Sequence, residues 1–466
     1  LTIYDDVPYS GFSHAASHPD QISTVGFLHG LDPPSPVSCR VLELGCGSGE
    51  SLIGIGYALP STSLVGIDLA ATAIASARSA ARALGLANVD FQVGNLRDLD
   101  RASLGEFDYV VAHGVYTWVD QETRDALLSV CDRHLAPDGL AYISFNTHPG
   151  GHFRRALREL AVWYAGDAGE PTEIARRGRE LFGTLSGLRS DADAWGALLA
   201  SELPSLARAS TDFLVHDLLS EHWEPVWFAE FAGAATRHDL QYVGEASFHR
   251  VSGPWEPDVE EGLRRLSGGN RVAYEQIVDF LVWRRFRDSI LCRANQTVAD
   301  TIDRGRMTRL RFRPAGPLGG LGVEPDALLN ALAGLAPPPV AFDRVQAELS
   351  VGTTDLADAL FDAVRRGRVT MHLDPPPLGA ADADRPRVSA LARLQAPNER
   401  YCTTLLGGVV ELEGPVIRAL LELADGSRDR DQLRADLAAR GGPLLEPEQL
   451  EAILRSLAWM ALVEPG

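Results

Sequence analysis

Cys39-Arg40-Val41-Leu42-Glu43-Leu44-Gly45-Cys46-Gly47-Ser48-Gly49 is the stretch whose reading decides the fold of this chain. A short apolar run (Val41, Leu42, Leu44) leads straight into three glycines, and a helix-like segment follows. Glycines here let the backbone turn tightly and let a ligand approach it with no Cβ in the way. Their spacing separates two ligand classes. A dinucleotide fold has G-x-G-x-x-G, with the pyrophosphate at a helix N-terminus. In this chain the third glycine comes one residue early, Glu50 holds its place, and Glu43 precedes the first glycine by two. An acid at a strand end suits a cationic ligand without phosphates better than a bare helix terminus does.

The bulk numbers bound the rest. A chain of 466 residues is too long for one core, so two or three domains are expected. Hydrophobic residues make up 45% and charged residues 23%, which is ordinary for globular protein. No apolar run approaches membrane-spanning length, and the first residues lack a basic region followed by an apolar one, so no membrane span is expected. Five scattered cysteines (Cys39, Cys46, Cys131, Cys292, Cys402) form no C-x-x-C pair, which suits a reducing cytoplasm. A net charge of −20 disfavours nucleic acid as a partner and is compatible with a basic one. The chain contains no lysine, so its 43 basic residues are all arginine. Biased genome composition is a sufficient reason.

The first 150 residues alternate short apolar runs with helical patterns, the signature of a parallel sheet with crossover helices. Strands are expected at 40–44, 63–67, 89–93, 107–112 and 140–145, and helices at 50–58, 71–84 and 121–135. Pro137-Asp138-Gly139 reads as a turn back into the sheet. Residues 1–36 are aromatic and histidine-bearing and read as an arm or lid over the site. Residues 153–222 read as a helical insertion or cap. A helix at 227–237 and a strand at 240–246 then make the next unit of the same sheet, so that 37–152 and 225–250 form one domain. Residues 255–300 read as long amphipathic helix. They open a middle region, 255–373, that ends in three helices and a strand at 369–373. Residues 413–464 repeat that order, which suggests winged-helix-like units joined by the Pro/Ala/Asp-rich linker 374–388, the last unit being 389–466. Winged helices often bind DNA, but these segments are acidic, which points to peptide contact or to pairing of two copies.

Asp68 follows Val65-Gly66-Ile67, about 20 residues past the glycines, where a carboxylate accepts from both ribose hydroxyls of a nucleoside; a helix N-cap is the alternative. E-x-G-x-G-x-G with that acid is the form in which S-adenosylmethionine is bound. Asn95-Leu96 follows the third strand, where such proteins usually place an acid for the adenine amino group; an Asn carbonyl can still accept. The fourth strand runs into Ala112-His113-Gly114-Val115-Tyr116-Thr117-Trp118-Val119. Methyl transfer is an in-line displacement at an activated carbon, so the protein must hold the nucleophile, desolvate it and accept a proton. His113 and Tyr116 suit that task, with aromatic packing as the alternative. Asn146, ending the fifth strand, could present its carbonyl to an amine. His148 and His152 are four apart, but Pro149-Gly150-Gly151 between them reads as a helix break, so no metal site is expected.

These stretches resemble the bacterial class I methyltransferases that carry a methyltransferase regulatory region, including the rickettsial outer-membrane protein lysine methyltransferases. The similarity rests on Tyr4-Asp5-Asp6-Val7-Pro8-Tyr9, His18-Pro19-Asp20, the glycine motif, and Ala112 to Val119. It rests further on Asn146-Thr147 with Pro149-Gly150 and His152, and on Arg284 to Cys292. The resemblance implies a doubly wound, Rossmann-like α/β sheet with a helical insertion, a helical middle region and winged-helix-like C-terminal domains. It implies S-adenosylmethionine as cofactor, with S-adenosylhomocysteine as product. The implied cofactor contacts are Tyr9, His18, Gly45, Gly47, Asp68, Asn95, His113 and Gly114, with Glu43, Cys46, Gly49, Leu69 and Leu96 beside them. His113, Tyr116 and Asn146 are the catalytic candidates. The chain differs from the family beside Pro149-Gly150, where an aromatic pair is common and His148 and Gly151 stand here.

Lysine N-methylation of a protein or peptide is the leading expectation; a lysine-modifying enzyme without lysines also cannot modify itself. The first alternative is methylation of a small molecule or ribosomal-peptide product, which calls for a deep apolar cavity beside Tyr116 and Asn146. The second is a non-catalytic binding module.

Overall fold

The computed structural model describes residues 11–99, 104–188, 193–220, 222–248, 255–316 and 326–465. Its centre is a seven-stranded sheet of order β3-β2-β1-β4-β5-β7-β6. The first five strands are β1 (Arg40–Leu44), β2 (Ser63–Asp68), β3 (Val89–Val93), β4 (Phe107–Ala112) and β5 (Leu135–Asn146). They pair in parallel. Val41, Leu42 and Leu44 are all buried because a central parallel strand is covered on both faces. Between Phe107 and Tyr109 the β4–β5 register jumps from Leu135 to Leu140, which accommodates Pro137-Asp138-Gly139 inside β5.

Helices α1 (Pro19–Leu28), α2 (Glu50–Ala58) and α3 (Ala71–Ala83) cover one face. There Ile22, Val25, Ile53, Ile74 and Ala77 pack on the sheet. Helix α4 (Gln121–His134) covers the other face through Leu127 and Leu128.

Three further helices, α5 (Gly150–Ala165), α6 (Pro171–Leu188) and α7 (Ala194–Arg208), form the cap, with their own core of Phe153, Leu157, Phe182, Leu203 and Leu206. Helix α5 begins at Gly150, so Pro149-Gly150-Gly151 starts a helix instead of breaking one. At a helix entry the N–H that proline lacks would have no partner anyway. The chain then returns to the sheet through α8 (Phe228–Arg237), whose Phe228 and Phe231 join Leu127 and Leu128, and β6 (Leu240–Glu245).

The expectation of long helix over 255–300 fails after α9 (Pro257–Ser267) and α10 (Arg271–Leu281). Trp283 turns the chain with φ 52°, and Phe286–Arg293 is strand β7, antiparallel to both β5 and β6. Arg287 makes that strand look like a solvent-facing helix, yet its side chain is fully buried. Glu245 at 2.5 Å, Asp279 at 2.8 Å and Glu275 at 3.0 Å balance its charge, and the Phe228 ring lies 3.8 Å from the guanidinium.

A second unit has the small sheet β10-β8-β9, from β8 (Arg311–Pro314), β9 (Val340–Ala341) and β10 (Val369–His372). It packs on α11 (Ala327–Leu335), α12 (Phe342–Leu349) and α13 (Thr353–Arg365). Phe27 and Leu28 of α1 enter this core while Ile22 and Val25 enter the sheet's. The described part of the expected arm therefore includes a fixed internal helix, buried nearly all round, with residues 11–18 before it and 29–36 after it. A third unit comprises α14 (Ala390–Gln395), the β11–β12 hairpin (Tyr401–Thr403, Val409–Glu411), α15 (Pro415–Leu423), α16 (Arg430–Ala439) and α17 (Pro447–Trp459). Val388 bridges to Val463 at its edge. Among the described residues no helix is long and apolar enough to cross a membrane.

Candidate active site

The glycine turn sits at the carboxyl end of β1, beside β4, where the strand order reverses and open α/β sheets leave a crevice. Gly45, Gly47 and Gly49 have φ of 73°, 54° and 78°, in the left-handed region that side chains disfavour. A Cβ on Gly45 would lie 2.5 Å from Val115 Cγ2, and one on Gly49 the same distance from the Phe91 ring. A Cβ on Gly47 would meet nothing within 4 Å. The outer glycines thus serve close packing, and Gly47 leaves an open face. Asp68 fastens the turn: Oδ2 accepts from the Gly47 N–H at 2.9 Å and Oδ1 from the Ala70 N–H at 2.8 Å. Each oxygen keeps a lone pair for another donor. Cys46 is buried, and burial followed by Glu43 pushes its thiol far up, so it is inert.

Glu43 is the anomaly. It is 5% exposed, and its Oε2 has no hydrogen-bond partner among the described residues. Burial, with Glu50 and Asp68 as carboxylate neighbours, raises its pKa to about 8. A buried acid without a partner is costly unless something cationic completes it. That fits a ligand with positive charge lying on the open face of Gly47, which S-adenosylmethionine is. Leu69 is exposed; Asn95 is exposed too, and its Oδ1 accepts from the Arg97 N–H at 3.1 Å, so here it closes a turn. Leu96 packs at the edge of the core.

At the end of β4, His113 Nδ1 bonds the Tyr142 hydroxyl at 2.9 Å. Its ring stacks on His14 with centroids 3.6 Å apart. Burial and His14 hold His113 well below the usual imidazole range, so it is neutral. Gly114 donates its N–H to Ser144 Oγ at 2.8 Å and is open on its Cβ side. Tyr116 does not join them. Its ring lies in the core against Phe145 and Phe231, and burial raises its hydroxyl to about 12. The aromatic-packing alternative describes it better than proton transfer does.

Asn146 is placed at the carboxyl edge but faces the opposite way from expectation. Its Oδ1 accepts from Trp223 Nε1 at 3.1 Å and from Thr117 Oγ1 at 3.3 Å, so the carbonyl is already taken. Trp223, which no sequence motif marks, arrives from the far end of the cap. Its segment is stitched in by Glu224 N–H to Thr117 O at 2.9 Å and Val226 N–H to Asn146 O at 3.2 Å. Behind Trp223 lies an open cavity of about 430 Å³, lined among others by Asp120, Arg155, Arg158, Glu159 and Glu224. His148 stacks on His152 at 3.8 Å beside Trp227, and no His/Cys/Asp/Glu group among the described residues could hold a metal. His18 caps α1, its Nδ1 accepting from the Asp20 N–H at 3.2 Å, and its buried Nε2 has no partner among the described residues. Tyr9 lies outside the described residues.

Three family models match the chain: a methyltransferase domain over residues 41–139, a predicted methyltransferase regulatory domain over 210–293, and the C-terminal winged helix domain of PKMT over 384–442. The uncharacterized protein RP789 of Rickettsia prowazekii is 34% identical over 291 residues, 62% of this chain and 52% of that one. The chain thus spans about half the length of that relative. RP028 of the same organism is 29% identical over 52% of this chain and 96% of its own. The solved structure of PKMT2 from Rickettsia typhi in complex with AdoHcy superposes with a TM-score of 0.85 at 22% identity, covering 98% of this chain and 100% of that one. The glycine turn, the unpaired acid beneath it and these matches agree: the chain carries an S-adenosylmethionine-dependent methyltransferase domain over residues 41–139, followed by stretches that match a predicted methyltransferase regulatory domain and the PKMT C-terminal winged helix, and it shares the fold of PKMT2.

Proposed function

We propose that the protein N-methylates lysine side chains of a protein or peptide acceptor. When bound, S-adenosylmethionine supplies a methyl group already activated on a sulfonium. The chain's own residues do the rest. Glu43 balances the ligand's positive charge, Asp68 offers two lone pairs to ribose hydroxyls, and the bare backbone at Gly47 and Gly114 leaves room for close approach. Neutral His113, anchored through Nδ1 to Tyr142, keeps Nε2 as a hydrogen-bonding group that orients the acceptor amine, whose proton is lost to water. The Asn146 amide, held by its oxygen, presents its NH2 end.

The open, charged character of the cavity behind Trp223 carries the choice of acceptor. A deep apolar pocket would favour a small molecule; here the lining is polar and of mixed charge, with Glu159, Arg155 and Arg158 beside Asp120 and Glu224, which already pair with Arg97 and Arg124, and such an open wall suits a solvated protein or peptide segment. The test is transfer from methyl-tritiated S-adenosylmethionine to fractionated protein, peptide and small-molecule pools. Label recovered as methyl-lysine is expected. No label in any protein or peptide fraction, under conditions where the cofactor binds, overturns the reading.

A further inference from the structure

Residues 11–14 carry no regular structure, yet they run from Glu50, at the start of α2, to His113, just past the end of β4. At one end the Gly11 backbone lies against Glu50, so close that a Cβ there would be 2.5 Å from Oε2. At the other, His14 covers His113. What holds the segment down comes from the opposite end of the chain. Ser13 Oγ donates to the Gly407 carbonyl at 2.8 Å. Gly407 has φ 75°, and a Cβ on it would be 2.9 Å from the His18 ring.

The turn is itself firm. Gly407 N–H donates to Thr404 O at 3.0 Å, Thr404 N–H to Gly408 O at 2.8 Å, and Leu405 N–H to Ala461 O at 2.9 Å. The same unit grips α2, the helix that leaves the glycine turn. Tyr57 bonds the Glu464 carboxylate, accepts from the Ala390 N–H at 2.7 Å, and Thr403 packs where a Cβ on Gly54 would be 2.9 Å away.

We propose that the turn 404–408 of the C-terminal winged-helix unit is a clamp on the cofactor crevice. It seats the segment 11–18, makes His14 a positioning residue of the cofactor site, and couples cofactor affinity to the seating of that unit. The proposal does not depend on which acceptor is methylated.

Calorimetric titration of the full chain with S-adenosylhomocysteine tests it. Gly407→Val, which wedges a branched side chain against His18, is expected to weaken binding at least tenfold, and Ser13→Ala about threefold. In a His14→Ala background, Gly407→Val is expected to add nothing, because the wedge against His18 acts on the cofactor site by unseating the His14 ring. Gly441→Val is the control: φ 82° gives the same backbone strain in the same unit with nothing within 4 Å, so affinity is expected to hold. Wild-type affinity in Gly407→Val overturns the proposal. So does a loss that adds in full to that of His14→Ala, or an equal loss in Gly441→Val. Should Gly407→Val fail to fold, Ser13→Ala and His14→Ala decide it in the same way: non-additive losses support the clamp and additive ones overturn it.

Discussion

Trp223 gives its indole N–H to Oδ1 of Asn146 at 3.1 Å, and that bond settles which end of the amide faces the rest of the site. An indole can only donate, so the atom opposite it must be the oxygen. Thr117 adds a second donor to the same oxygen. Trp223→Phe keeps the ring and removes the N–H, and one such bond is worth about 1 kcal/mol. If the amide then turns freely, methyl transfer should fall roughly fivefold while S-adenosylhomocysteine affinity stays level. Initial rates on a lysine-containing peptide pool, beside a binding isotherm, read both.

Glu43 ties cofactor affinity to pH. Its pKa of about 8, raised by burial and by Glu50 and Asp68, leaves it largely protonated at neutrality. A cation is attracted only to the ionised form, so affinity for S-adenosylmethionine should rise from pH 6 to pH 9. Glu43→Gln should bind more weakly and show a flat profile. The folded state holds this proton where the unfolded chain releases it, so Glu43 costs stability as pH climbs from about 4.5 to about 8. Glu43→Gln should therefore melt higher than wild type at pH 8.

Gly47 and Gly49 separate function from folding. Both need positive φ, and alanine in the left-handed region costs about 1 kcal/mol. Gly47→Ala meets open space, so its melting temperature should move little while cofactor binding collapses. Gly49→Ala drives a methyl into Phe91 and should lose several degrees of melting temperature. Equal effects at the two positions would contradict the open face assigned to Gly47.

Acid should loosen the region around α1. Burial lowers His14, His18 and His29 to about 4 each, against an ordinary value of 6.5. Between those values the unfolded chain takes protons that the folded one refuses. Stability is therefore full above pH 6.5 and drains away toward pH 4, by about 1.4 kcal/mol per histidine for each step of one in pH. Melting temperature against pH should bend downward below pH 6.5. His14→Phe keeps an aromatic ring on His113, removes one titrating group, and should bend less.

Arg287→Ala should prevent folding or lower the denaturation midpoint sharply. It strands Glu245 and Glu275 in the interior without their cation and leaves Asp279 with Arg284 alone, a loss on the order of 3–5 kcal/mol. Methionine at 287 should recover part of that only if Glu245 and Glu275 are made neutral as well, Asp279 keeping Arg284 as its partner.

The strands around the glycine turn were legible because Val41, Leu42, Leu44 and their neighbours repeat a local pattern that burial on two faces requires. Strand β7 was not. Arg284, Arg285 and Arg287 read as a solvated helix face, and the acids that make Arg287 tolerable inside come from α10 and β6, 8 to 42 residues away. Asp68 and Glu43 were visible through their offsets from the glycines. Trp223 was not, because it meets Asn146 across 77 residues and no local spacing marks it. Tyr116 misled for a related reason: chain position brought it to the strand edge, and only Phe231 from α8 shows that its ring turns inward. His14 carried no motif either; its meaning lies in His113 beneath it and Gly407 beside His18.

The sheet's order also fixes a schedule for synthesis. Strand β7 lies between β5 and β6, so β6 has no partner in the sheet until residue 293 has left the ribosome. Until then the flank of β5 is an open row of backbone donors and acceptors, of the kind that recruits foreign strands. The stretch matched as regulatory ends at that residue. A gene fragment stopped at 250, which looks complete by its run of alternating strands and helices, would encode a nascent-chain state with its sheet unsealed.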